Sequence, residues 1–265
     1  MLSFKTLKRS LAPALALSAT LTTGLVSAAD WSTTEVQYQR GELDIPTFAG
    51  GGSEYTTIFT FQHASGWKYG DNFFFFDASR ASGNSDVYGE FYPNFSLGKI
   101  SGNDVGFGPV SDVGILAGVN FAADANVVKY LPGVRLALEL PGFAFANLDT
   151  TAYIDDSDGA ASGGAPAEDN SYMVDFNWAY PFKTGSLSWS IEGHVEYIGS
   201  RDNEFGDKVS HHILAQPQIR IDLGEQLFDS ANQLFVGIEY QYWKNKLGDP
   251  NTDESAIQAL IVWRL

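Results

Sequence analysis

Polar and apolar positions alternate with period two along most of the chain beyond residue 30. In "LSWSIEGHVEYIG", Leu187, Trp189, Ile191, Val195 and Tyr197 share one face, and Ser188, Ser190, Glu192, His194 and Glu196 share the other. In "QLFVGIEYQYW", Leu234, Val236, Ile238, Tyr240 and Tyr242 oppose Glu239 and Gln241. The final stretch sets Ile257, Ala259, Ile261, Trp263 and Leu265 against Gln258 and Arg264. Successive side chains of a strand point to opposite faces, so this alternation predicts strands, and apolar residues at helical spacing are scarce. Gly, Asp, Asn and Pro clusters divide the pattern into twelve segments, near 31–41, 54–64, 72–81, 87–97, 110–122, 131–140, 144–155, 170–180, 187–200, 209–222, 233–246 and 255–265. Most reach the length of about ten residues that a tilted strand needs to cross a bilayer.

The connections differ by parity. Odd-numbered ones, such as "GELDIPTFAGGGSE", "DDSDGAASGGAPAED", "RDNEFGD" and "GDPNTDE", are acidic and often long. Several even-numbered ones, such as "SGWKYGD", "LPGF" and "PFKTGS", are tight. Long loops at one end and short turns at the other predict an all-β, transmembrane antiparallel β-barrel of about twelve strands, with both termini on the periplasmic side. The low-complexity segment "DDSDGAASGGAPAED" has little to bury and is expected to be a mobile external loop. A soluble β-sandwich also alternates. Trp and Tyr, however, recur near strand ends, among them Trp31, Trp67, Tyr130, Tyr172, Trp189, Tyr240 and Trp263, as aromatic girdles at membrane interfaces require.

Composition sharpens this picture. The first residues carry Lys5, Lys8 and Arg9, then an apolar stretch, then "VSA" before Ala29, which predicts a signal peptide over residues 1–28 and a barrel over 29–265. No later apolar run is long enough for a membrane-spanning helix. Sixteen basic residues stand against thirty-two acidic ones, a balance that argues against nucleic acid as a partner. Cysteine is absent, so closure of the barrel rather than disulfides has to satisfy the strand edges.

Candidate chemistry lies on the face that would point inward. In "DNFFFFDAS" the strand period places Phe74 and Phe76 toward lipid and Phe73, Phe75 and Asp77 toward the lumen. The next strand shares Tyr88, Glu90 and Tyr92 on one face, and the short "ASGNSD" connection makes the two strands neighbours. These six residues form the candidate solute path. Ser210, His211 and His212 suggest a hydrolase, but Ser210 and His211 point to opposite faces and no G-x-S-x-G is present. Glu192, His194 and Glu196 could ligate a metal, yet alternate positions on a lumen face are ordinarily wet polar residues. Arg220 and Arg264 are expected to pair with these acids. No catalytic residue, cofactor or metal is assigned.

Three stretches carry a family resemblance. "YPNFSLGKISGNDVGFGPVSDV", through Phe95, Ser96, Lys99, Asn103, Asp104, Phe107, Gly108 and Pro109, resembles a segment of the nucleoside-specific channel Tsx and outer membrane protein OmpK family. "SGWKYGDNFFFFDAS" is similar to that family's Trp-led aromatic strand, and "SHHILAQPQI" to its later "SHILA" strand. The chain departs at its C-terminus, Leu265, where such barrels usually end in Phe, and in its loops. The resemblance implies a monomeric outer-membrane barrel that passes nucleosides by facilitated diffusion, in contact with outer-membrane lipids. The alternatives are a structural or recognition barrel whose loops dock partners such as phage, and an outer-membrane lipid hydrolase.

Overall fold

The computed structural model describes residues 29–265; the expected signal peptide lies outside the described residues. The alternating segments form β1 (Trp31–Asp44), β2 (Ser53–Trp67), β3 (Gly70–Ala81), β4 (Asn84–Ser96), β5 (Val110–Ala122), β6 (Val127–Leu138), β7 (Phe145–Asp155), β8 (Ser171–Thr184) and β9 (Leu187–Ile198). A small ribbon, β10 (Arg201–Asp202) with β11 (Lys208–Val209), interrupts the series. The wall resumes with β12 (His212–Ala215), β13 (Gln218–Asp222), β14 (Leu234–Lys244) and β15 (Glu254–Arg264). Each strand runs antiparallel to the next, and β12 and β13 together fill the place of one stave between β9 and β14. Pairing of β1 with β15 closes a twelve-staved barrel.

The burial pattern separates a membrane barrel from a sandwich. On β15, Gln258 is 0% exposed while its neighbour Ile257 is 64% exposed. Phe59, Phe61, Phe76, Phe91, Ile115, Ile238, Ile261 and Trp263 likewise stand outward, whereas Glu35, Gln37, Gln39, Arg220 and Glu239 are buried inside. A soluble sandwich would bury the first set and expose the second; an apolar outer band around a polar interior is the arrangement a bilayer selects.

Three expectations need correction. Residues 209–222 do not form one strand. Pro217 has no N–H for the ladder, and Gly193 opposite it adopts φ 147°. A Cβ on Gly193 would lie 2.3 Å from the Gln216 carbonyl oxygen, so the stave kinks where only glycine permits the approach. Loop length does not separate the two ends cleanly either. The end bearing the termini holds residues 97–109 and 223–233, which contain α1 (Leu97–Ser101) and α2 (Gly224–Phe228), and "ASGNSD" shrinks to a turn at 82–83.

The low-complexity loop sits at the end opposite the termini, as expected, but it is stitched down. Glu204 Oε1 accepts from the amides of Ala160 (2.7 Å) and Ala167 (3.1 Å), and the Ala165 amide donates to the Ala125 carbonyl (2.7 Å). Its charged end supplies the anchor: Glu168 takes Lys129 at 2.6 Å and Arg201 at 2.7 Å. Composition conceals such a tie, because the partners belong to other strands and loops.

Candidate functional site

The β3–β4 hairpin sets the aromatic side of the lumen. Its register pairs Phe73 with Tyr92, Phe75 with Glu90 and Asp77 with Tyr88. Cross-strand side chains on one face approach to about 5 Å, so the six residues stand as three adjoining rungs. The rings of Phe73 and Phe75 are 6.0 Å apart, and those of Phe75 and Tyr88 are 5.9 Å apart. Phe74 and Phe76 face outward, against Phe61, His63, Phe91 and Phe121.

Every polar group in these rungs has a partner. Tyr88 Oη donates to Glu90 Oε1 at 2.5 Å, and Asn120 Nδ2 donates to the same oxygen at 3.0 Å. Tyr92 Oη donates to Asn120 Oδ1 at 2.8 Å, and Thr60 Oγ1 donates to Asp77 at 2.5 Å. Hydrogen-bonded neighbours fix side-chain direction, so the aromatic rungs are held rather than loosely packed.

A cavity of about 630 Å³ lies against this face. Phe73, Phe75, Asp77, Glu90 and Tyr92 line it; Tyr88 stands behind, in contact with Phe75 and Glu90. Tyr92 also packs with Leu131, Met173 and Ile198, which together fill one side of the lumen. The opposite wall is amide-rich. Gln39 Nε2 and Gln218 Nε2 donate to Glu239 Oε2 at 2.8 and 2.6 Å, and Gln258 Nε2 donates to Glu239 Oε1 at 2.8 Å. Between the walls, Arg135 forks onto Asp149 (2.8 and 2.7 Å) and reaches Asp71 at 2.9 Å.

The lining carries eight carboxylates, Asp71, Asp77, Glu90, Asp149, Asp175, Glu192, Glu196 and Glu239, against Arg135, Arg220 and His194. Behind the lining, Glu35 joins Arg220 at 3.1 Å and Arg264 at 2.6 Å, and Arg220 also reaches Glu192 on the lining at 3.2 Å. Arg220 and Arg264 therefore brace the wall with lumen acids.

The other candidates resolve differently. His211 stacks on Tyr197 on the outer face, with centroids 5.7 Å apart, while His212 is buried against Trp243. No hydrogen bond joins Ser210 Oγ to either imidazole among the described residues. Ligand atoms of Asp175, His194 and Glu196 lie within 4.8 Å of one another. His194 Nδ1, however, faces Asp175 Oδ1 at 3.0 Å and Nε2 faces Gln216 Oε1 at 3.0 Å, so both ring nitrogens are engaged by acceptors and neither offers a free lone pair.

The amide wall and the Arg135 fork escape a reading built on aromatics. The wall has a local signal in "EVQYQRGELD", where Glu35, Gln37 and Gln39 alternate with Val36, Tyr38 and Arg40; the fork has none, because Arg135, Asp149 and Asp71 lie on three different strands.

Residues 49–262 match the model of the family described as nucleoside-specific channel-forming protein, Tsx. The chain belongs to the Tsx channel family. Its fold is similar to that of the NanC porin, with a TM-score of 0.52 at 13% identity over 88% of this chain and 100% of that one. Looser likenesses are the KdgM porin (TM-score 0.44, 10% identity, 86% and 98% covered) and an outer membrane channel from Pseudomonas putida F1 (0.46, 12%, 88% and 95%). No curated protein sequence matches the chain. Membership of the Tsx family and the closed, apolar-banded wall make this an outer-membrane channel barrel.

Proposed function

We propose that the channel passes nucleosides by facilitated diffusion along the face formed by Phe73, Phe75, Asp77, Tyr88, Glu90 and Tyr92. The observation that carries this reading is the pairing of an aromatic strip with an amide-and-carboxylate wall across one cavity. A nucleoside has a flat base and a sugar rich in hydroxyls. Aromatic rings stack on any base, worth about 1–3 kcal/mol per base in single-stranded nucleic-acid binders. Glutamines and carboxylates accept from sugar hydroxyls and base amines. The volume of about 630 Å³ falls within the range of roughly 300–1,000 Å³ typical of small-molecule sites. The excess of carboxylates disfavours phosphate-bearing nucleotides and leaves uncharged nucleosides as the suited solutes.

The test is liposome swelling with nucleosides, nucleoside monophosphates and sugars of similar size. The parent is expected to favour nucleosides over both other classes. Phe73→Ala/Phe75→Ala is expected to abolish the preference over sugars while the barrel still assembles, since lumen substitutions tune selectivity. A parent without nucleoside preference would overturn the reading and favour a general or recognition barrel.

A further inference from the structure

We propose that Arg40 and Arg80 form a docking site on the outer wall for the phosphates of a lipid headgroup. The site does not depend on which solute the lumen carries. It follows from the strand register: Arg40 pairs with Thr57 and Thr57 with Arg80, placing all three on one rung across β1, β2 and β3. Directly beneath, the Tyr38, Phe59 and Ala78 rung belongs to the outward apolar band, with Tyr38 and Phe59 in edge contact at 5.3 Å. Directly above, Glu42 pairs with Tyr55 near the strand ends opposite the termini. The two arginines thus sit where the apolar band gives way to polar residues, the depth of lipid headgroups.

Charge makes the pair distinctive. The other described cations of that end are all in ion pairs: Lys129 and Arg201 with Glu168, Lys208 with Asp202, Lys244 with Asp253 and Lys246 with Glu254. Arg40 and Arg80 are exposed and form no ion pair among the described residues. Arg40 donates only to Thr57 Oγ1, at 3.3 Å, and its guanidinium lies 5.8 Å from the Tyr55 ring. Glu42, on the adjoining rung, takes Ser53 Oγ at 2.7 Å rather than either arginine, so in a chain of net charge −16 two guanidiniums at the bilayer boundary remain open to an external anion.

The geometry suits phosphate. Strands spaced at about 4.8 Å put the two Cα atoms roughly 10 Å apart, so the forks can converge on one headgroup. Each guanidinium offers a planar pair of donors that matches phosphate bidentately, and Tyr55 adds a hydroxyl beside Arg40. The apolar band below seats the acyl chains of the same lipid.

The experiment uses the whole barrel in phosphatidylcholine vesicles with or without bis-phosphorylated lipid A, under chelator so that no divalent ion bridges the charges. Lipid A affinity is read from the rise in unfolding temperature as its fraction increases. Each arginine is expected to contribute about fivefold, so Arg40→Gln/Arg80→Gln should bind about 25-fold more weakly. Single Arg80→Gln, the safer variant for assembly, should lose about fivefold. Lys244→Gln should leave the affinity unchanged, and inorganic phosphate should give no comparable rise. Equal affinity in parent and arginine variants, an equal loss with Lys244→Gln, or a full rise with inorganic phosphate would each overturn the proposal.

Discussion

Glu35 is the anion on which the closing seam of the barrel turns, and its replacement has a calculable cost. Glu35 Oε1 accepts from Arg264 Nε at 2.9 Å and Nη2 at 2.6 Å, while Oε2 accepts from Arg220 Nη1 at 3.1 Å. The side chains of Glu35 and Arg220 are each only 2% exposed. Removing one member of a buried pair costs about 3–5 kcal/mol, because the remaining charge is left without compensation. Two features reduce that figure in Glu35→Leu. Arg220 keeps Glu192 at 3.2 Å and Gln218 at 2.7 Å. The Arg264 side chain is 29% exposed, so water replaces part of its lost pairing. The expected loss is therefore about 2–4 kcal/mol. Glu35→Leu/Arg220→Met removes both the anion and its buried partner, and should be less destabilised than Glu35→Leu alone. Urea unfolding in lipid vesicles, followed by tryptophan fluorescence, measures both variants. A single-variant loss below about 1 kcal/mol, or a double variant at least as destabilised as Glu35→Leu alone, would refute the hub.

Phe74→Lys/Phe76→Lys places two charges on the lipid face and should cost about 2–4 kcal/mol each near the bilayer midplane, read as a lowered yield of folded barrel in vesicles. At the end opposite the termini, Asp249 accepts from the Thr47 amide, Thr47 Oγ1 and Thr252 Oγ1, each at 2.6 Å. Burial pushes its carboxyl up, but hydrogen bonds from Thr252, Thr47 and Asn251 outweigh that and hold it well below the usual carboxylate range. A depressed folded-state value gives stability that is complete above the unfolded value and lost as pH falls toward the folded one. The advantage of the parent over Asp249→Asn in unfolding temperature should thus be full above about pH 4 and shrink below it.

Legibility in the sequence followed the range of the interactions. Period-two alternation depends only on neighbouring residues, and it marked the staves, including the opposed faces of Phe73–Phe76 and of Ile257–Arg264. That β3 and β4 are neighbours was equally legible from their short connection, but their register came only with the two-residue turn at 82–83. Interactions between distant segments were not. Nothing near Glu239 indicates that Gln39, two hundred residues earlier, will donate to it. The acidic segment ending at Glu168 reads as unanchored because Lys129 and Arg201 lie outside it. The break at Pro217 had a local signal, a missing N–H. Its meaning came only with Gly193 on the adjoining strand, whose backbone comes close enough for the stave to bend.

Pairing of the first strand with the last also governs how the barrel can assemble. The Arg264–Glu35 bond joins residues 229 apart, and the Leu265 amide donates to the Thr34 carbonyl. Until the final strand is present, any nascent sheet retains two bare edges that can capture another chain. Bringing ends so far apart together costs about 5 kcal/mol of loop entropy, repaid only when the seam zips along its whole length. Closure is then a late, all-or-none event of high contact order, and assembly is expected to be slow for a protein of this size. A chain cut short before β15 retains most of its staves and lacks only the strand that ends its exposure to aggregation.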